Sequence, residues 1–483
     1  MCQSLSDSLL VLKTRSRKVI TLLVGQWIAR ETVWSDPSSR QSYCSADLRR
    51  LVAPGCNYGY DVLVYVGRSL FVEAQPVRQI VAQLAKRHVF LSLSTVVELG
   101  RRFVALLALA HRRCAGRLQQ AMSLQGGYIL HLDATYEGKS PMLMTGMDAV
   151  MEIVLGNIKL PSEKTDGIVP FLRHLKQCFG APLACVHDMS KGILAAIHEV
   201  FPDVPDFICH FHFLRDLGKD LLGDQYDTLR KRIQTHGTLG RLRARLRTWQ
   251  KQIDADPQLQ EILAQLPLCG WPTQSVSQAP LIAAYLLAHW ILAGLQQGQG
   301  YGFPFDRPLM ALAERAQQVH AHLQSLISLS SDQEWRHNLP FLEQIEHYDT
   351  KLFASPLVVS TPQGPRTIQP KRTNNLMERF FRDLKRHSRR RTGCHALGRT
   401  LRTLLPDTTL VSNLQNPQYL KILLDGQPNL EALFAQSAPA AVREELQKAQ
   451  QNPERVPRAL KKFISAITSP DAVKHLIINR KSN

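Results

Sequence analysis

Three acids among the 483 residues have types and settings that suit chemistry. Asp133 ends the apolar run Tyr128–Leu132 (YILHL), and Asp188 ends Leu183–His187 (LACVH). Each precedes a polar turn, ATYEGK after the first and MSKG after the second. A carboxylate at a strand end beside a solvent-facing loop is a typical functional position in α/β sheets. Asp also forms turns readily, which would account for either residue by itself. If the two strands are neighbours, both carboxylates converge, and hard oxygen ligands of that kind suit Mg²⁺ or Mn²⁺.

The third acid is Glu378, in TNNLMERFFRDLKRHSRRRTG. Thr373 or Asn374 can cap a helix there. Leu376, Met377, Phe380, Phe381 and Leu384 form its buried stripe. Glu378 lies off that stripe and shares a face with Arg382, Lys385, Arg386 and Arg389; Arg390 and Arg391 follow. Residues 371–402 hold eleven Lys/Arg and two acids. A solvated basic helix with i,i+4 pairs such as Glu378–Arg382 is the plainer reading. A charge block this dense more often marks a polyanion site. Three carboxylates can hold two metal ions about 4 Å apart, activating a water or a 3′-hydroxyl and stabilising the oxygen that leaves phosphorus. The neighbouring cations would hold a phosphodiester backbone without reading its sequence.

Cys209 and His212 form a CxxH on an apolar stretch. Zinc would need two further ligands, and Cys185, His187 and His210 are the candidates. A buried thiol and a satisfied histidine that support the sheet are the favoured reading.

These residues must be positioned by the elements around them. Over 126–225 the pattern is Tyr128–Leu132, Pro141–Asp148 and Met151–Leu160 as strands, then a helix over Gly167–Phe179. A strand at Leu183–His187, a helix over Lys191–Phe201 and a strand over Asp206–Phe213 follow. The order βββαβαβ predicts an α/β layered domain with a mixed sheet. Residues 225–350 show almost no strand signal and read as an all-α insertion. Residues 355–370 read as a Pro-rich connector, and the tail after Pro406 as helical and polar. Upstream, residues 70–120 are helical. Pro76 suits a first helical position, and Ser94 or Thr95 can cap a second helix, with Glu98 completing a box with Thr95. That second helix carries Arg101 and Arg102, so the pair is a candidate helix-turn-helix, the alternative being two packed helices with no DNA role. Near the N-terminus, KVITLLVGQWIA reads as a strand pair or a buried strand. The expected units are 1–65, N-terminal; 66–122, helical; 123–225, first part of the core; 226–365, α-helical insertion; 366–410, final core helix; and 411–483, helical tail.

The composition supports a globular chain with a polyanionic partner. Hydrophobic residues make up 44 % and charged residues 20 %, which excludes wholesale disorder. There are 59 Lys+Arg against 40 Asp+Glu, a net charge of +19, so nucleic acid is the first partner to consider and a basic membrane-binding surface the second. Nine cysteines, with no CxxC, argue against a disulfide framework and for the cytoplasm. The N-terminal residues lack a signal-peptide layout. The most apolar run, Leu281–Leu295, is broken by His289 and Gly294 and suits a core helix better than a membrane span.

Together, Asp133 in HLDAT, Asp188 in VHDMSKG, the CHFH stretch and the TNNxxE helix followed by RRRTG resemble the DDE transposases. The likeness is to the Mutator-like group and its bacterial insertion-sequence relatives, and it covers about residues 70–405. It implies an RNase H-like catalytic domain with an α-helical insertion between the second Asp and the Glu. The spacings of 55 and 190 residues leave room for that insertion. Many relatives begin with a zinc-binding CxxC region, where this chain has only scattered Cys44 and Cys56. The resemblance implies cleavage and strand transfer of a mobile element by Asp133, Asp188 and Glu378 with two Mg²⁺ or Mn²⁺ ions. It implies element-end and target DNA as partners, a homo-oligomer on DNA, no membrane, and a cytoplasmic location, nucleoid-associated if the source is bacterial. The alternatives are a transposase-derived DNA-binding protein without catalysis, and an RNase H-like nuclease acting on RNA–DNA hybrids.

Overall fold

A computed structural model of the chain describes residues 10–37, 42–209, 235–265, 356–371 and 374–450, with isolated residues between 212 and 352. The chain opens on a long antiparallel hairpin, β1 (Leu10–Thr21) and β2 (Gly25–Ser35), with the short β3 (Ser42–Tyr43) added to β2. Five helices follow: α1 (Ala46–Leu51), α2 (Tyr60–Phe71), α3 (Val77–Ala85), α4 (Leu93–Arg113) and α5 (Ala115–Leu124). Pro76 stands just before α3 as its cap, in extended conformation. The cap of α4 is Ser92, whose Oγ accepts from Thr95 N at 3.1 Å, in place of Ser94 or Thr95. Glu98 turns away from the helix start and pairs with Arg102 at 3.1 Å.

The central sheet contains β4 (Ile129–Thr135), β5 (Met142–Asp148), β6 (Ile153–Leu160), β7 (Ala184–His187) and β8 (Asp206–Ile208) in the order β6-β5-β4-β7-β8. The first three run antiparallel; β7 is parallel to β4, and β8 to β7. Helices α6 (Thr165–Phe179) and α7 (Lys191–Val200) lie between the later strands in sequence. The molecule is therefore α/β with a mixed five-stranded sheet, in the element order the sequence pattern predicts. The fifth strand is shorter than expected. Phe213 N donates to Cys209 O at 3.0 Å, so a helical turn begins where the apolar alternation suggested more strand. Gly146 and Gly156 face each other across β5 and β6, and a Cβ on either would come within 3.0 Å of Leu175. Their bare backbone lets α6 press onto that face.

Helices α8 (Thr238–Ala255) and α9 (Pro257–Gln265) pack together around Leu246, Ile253 and Leu263. Most of the remaining expected insertion lies outside the described residues, as do Thr373, His210, and residues 1–9 and 451–483. The stretch expected as a Pro-rich connector is instead a hairpin, β9 (Leu357–Thr361) and β10 (Gly364–Ile368). Pro362 and Gln363 form its two-residue turn, and Val359 packs where a Cβ on Gly126 would otherwise reach. Then come α10 (Asn375–Thr392) and α11 (Leu397–Thr403), which cover the second face of the sheet.

The tail is not the polar appendage the sequence suggested. A 3₁₀ segment (Pro406–Gln415), α12 (Pro417–Leu424), α13 (Leu430–Ala435) and α14 (Pro439–Gln450) follow α11. Leu410, Tyr419, Leu423 and Phe434 are fully buried. Asn413 exchanges two hydrogen bonds with the Val154 backbone, at 2.7 and 2.8 Å, and so covers the open edge of β6. One continuous apolar core runs from Ile20 through α2–α5 and the sheet to Phe434, so the expected breaks at 122/123 and 410/411 do not divide it. Among the described residues no helix is long and apolar enough to cross a membrane.

Candidate active site

The register of the parallel strands brings the first two acids level. Ile129, Leu130 and His131 of β4 pair with Ala184, Cys185 and Val186 of β7. Two residues further on, the same register sets Asp133 beside Asp188, on strands about 4.8 Å apart. Side chains alternate along a strand, so Asp133 points away from the α6 face, which takes Leu130 and Leu132. Asp133 is 6 % exposed, and its Oδ1 accepts from Ala134 N at 2.7 Å. Asp188 is half-buried, and its Oδ1 accepts from Ser190 N at 3.0 Å.

The electrostatics of Asp133 join all three sequence-predicted acids. Burial raises its carboxyl well above the usual range, and the negative charges of Asp188 and then Glu378 raise it further. Glu163 adds to the same field. Sequence reasoning missed Glu163, which sits in the charged loop PSEKTD and looked like solvated surface. Its Oε2 accepts from Ser190 Oγ at 3.0 Å. Gly192 makes that approach feasible, since a Cβ there would fall 1.9 Å from Glu163 O.

Glu378 reaches the site because Asn374 locks the start of α10 against the sheet. Asn374 is fully buried at the cap position, but its side chain does not cap the helix. Oδ1 lies 2.8 Å from His131 Nδ1, and Nδ2 donates to Leu132 O at 3.1 Å. An amide oxygen only accepts, so Nδ1 of His131 carries the proton. Burial pushes the His131 pKa down to about 4, and the ring is neutral. Glu378, one helical turn further on, is 19 % exposed, and its Oε1 lies 3.5 Å from His212 Nε2.

The CxxH pair therefore has identifiable tasks. Cys209 is fully buried, and its sulfur accepts from Asn374 N at 3.1 Å; His212 faces Glu378. Both tie α10 to the end of β8. Another contact set lies behind Asp188. His187 Nδ1 contacts Asp188 O, and Nε2 lies 3.2 Å from Asp206 Oδ2. Burial opposes ionisation of Asp206, but hydrogen bonds from His187 and Lys351 outweigh it and hold the carboxyl below its usual range. A histidine inside each apolar strand, HLD and VHD, was the sequence signal for these supports.

Arg382, Lys385, Arg386, Arg389 and Arg390 are exposed along α10, with Arg386 3.8 Å from Asp383. Arg391 is set apart: its guanidinium stands 5.0 Å over the Phe71 ring.

Among the described residues no three His, Cys, Asp or Glu side chains are grouped so as to hold a metal ion. His210, one of the further zinc ligands considered from the sequence, lies outside the described residues. For the acids, the donor chemistry still fits a hard divalent cation. They are carboxylates gathered at one end of the sheet, and the burial and repulsion that together raise Asp133 are what a bound cation would offset. The chain matches no known family model, and no curated protein matches it.

Proposed function

We propose that the chain is a divalent-metal-dependent DNA transposase with an RNase H-like core. The observation that carries this reading is the field at Asp133, where the charges of Asp188 and Glu378, both far away in sequence, act on the same buried carboxyl. The strand order, with three antiparallel strands followed by two parallel ones, supports the RNase H-like assignment. Divalent ions bound by these carboxylates would supply the activation of a water or a 3′-hydroxyl and the stabilisation of the leaving oxygen. The chain's own residues do the rest. Asn374 and Cys209 hold α10 so that Glu378 stays near Asp133. His187 contacts the Asp188 backbone and is anchored in turn by Asp206. The exposed cations of α10 hold the DNA backbone beside the acids.

The test is strand cleavage of terminal-repeat DNA with Mg²⁺ or Mn²⁺, taken from the sequence flanking the encoding gene. Asp133→Asn, Asp188→Asn and Glu378→Gln should each fold, bind DNA and fail to cleave. Cleavage near the wild-type level in any one of them removes that residue from the site.

A further inference from the structure

The cations of α10 do not form one surface. Those from Arg382 to Arg389 lie on open helix. At its C-terminal end, past Arg390 and Arg391, the helix stops at Gly393, in the left-handed conformation at φ 70°. There it faces the end of α2 and the starts of α3 and α4 across a cleft of about 790 Å³. Arg78, Arg101, Arg390 and Arg391 line this cleft, and among the described residues no Asp or Glu does. Its walls are otherwise largely apolar, with Phe71 beneath Arg391 and Val97 43 % exposed at the rim.

The two basic surfaces fit different forms of nucleic acid. A duplex offers phosphates on a broad convex face, which the open side of α10 meets with cations alone. An unpaired strand offers phosphates and bare base faces together, and bases stack on aromatic rings and on arginine planes. The cleft has the volume of a small-ligand pocket, too small to take in a duplex. From Glu378 to Arg390 is twelve residues of one helix, about 18 Å. That is roughly five base-pair steps from the carboxylates.

We propose that this cleft binds an unpaired segment of DNA strand, with phosphates on Arg78, Arg101 and Arg390 and bases against Phe71, Val97 and the Arg391 plane. The proposal rests on the reading of the acids as a phosphodiester site, and adds a second, single-strand contact beside it.

The experiment is fluorescence anisotropy of the full chain with labelled oligodeoxythymidylate and, separately, with a duplex, both in EDTA. Val97→Glu puts a carboxylate into the acid-free cleft at an exposed position. It should weaken single-strand binding by about tenfold or more, the scale of one lost base contact, and change duplex binding by less than about twofold. Val97→Lys should strengthen single-strand binding, and it carries the test if Val97→Glu misfolds. Unchanged oligothymidylate affinity in both variants overturns the proposal. An equal loss on duplex and single strand also overturns it, and makes the cleft part of the duplex surface. Both titrations are free of divalent ions, and cleavage by the acid variants is read separately with metal present. Failure of either reading is therefore seen in its own assay.

Discussion

Replacing Asn374 with Ala separates the start of α10 from the sheet without touching an acid. In the wild-type chain its amide satisfies two buried partners, His131 Nδ1 at 2.8 Å and Leu132 O at 3.1 Å. Alanine leaves both without that partner, and a buried polar group stripped of its hydrogen bond costs about 1–3 kcal/mol. Asn374 and His131 are both fully buried, so water cannot replace the amide without rearrangement. The expected loss is therefore about 2–6 kcal/mol, a large part of the roughly 5–15 kcal/mol typical of a whole domain. Urea denaturation at pH 7 should show a lower midpoint with an unchanged slope. Cleavage should fall by about a hundredfold, because Glu378 is one turn away and a shift of about 1 Å at a reacting centre has that effect. A loss below about 0.5 kcal/mol, the range of an ordinary surface substitution, would refute the idea that Asn374 locks the helix.

Gly192→Ala should destabilise the chain by about 1–3 kcal/mol, because its Cβ meets the Glu163 carbonyl; thermal melts check this. His111 is buried between Tyr419 Oη and Leu155 O, and burial pushes its pKa down to about 4. Its folded pKa lies below the unfolded value of about 6.5, so its contribution is full above that pH and is lost as pH falls toward 4, by about 3 kcal/mol. The stability difference between wild type and His111→Gln should shrink by that amount between pH 7 and 4, and a difference constant with pH would rule out a buried neutral ring. Changing Lys385 and Arg386 together to Ala should lower the slope of log K against log salt by roughly one to two on duplex DNA. An unchanged slope in a salt titration means that this face does not touch the backbone.

What the sequence revealed follows from the range of the forces involved. Asp133 and Asp188 were legible because each ends a short apolar run, a local signal. Their adjacency was not, since strand order depends on pairing between distant segments. The basic stripe of α10 was legible from helical period, but the turn of Arg391 toward Phe71 depends on where α2 lies. Pro362 and Pro365 hid the β9–β10 hairpin, because proline in a run argues against strand; here one falls in the turn and the other on an edge. Glu163 was hidden among charged neighbours, and only the close approach at Gly192 brings it to the site. The apolar residues of the tail follow a 3₁₀ segment and short helices, so no long helical stripe marked them as core.

Thermal stability of the wild type, Asp133→Asn, Asp188→Asn and Glu378→Gln, with and without Mn²⁺, tests the central claim most directly. If the three acids share one site, Mn²⁺ at about a hundred times its Kd should stabilise the wild type by about 2.7 kcal/mol. Each single substitution should largely abolish that gain. Without metal, Asp133→Asn should be at least as stable as the wild type. The folded pKa of Asp133 is raised above its unfolded value, so its ionisation removes stability as pH rises through the folded value, whereas an amide carries no charge to repel. Equal Mn²⁺ stabilisation of all four proteins, or none in the wild type, would contradict a shared metal site at Asp133, Asp188 and Glu378.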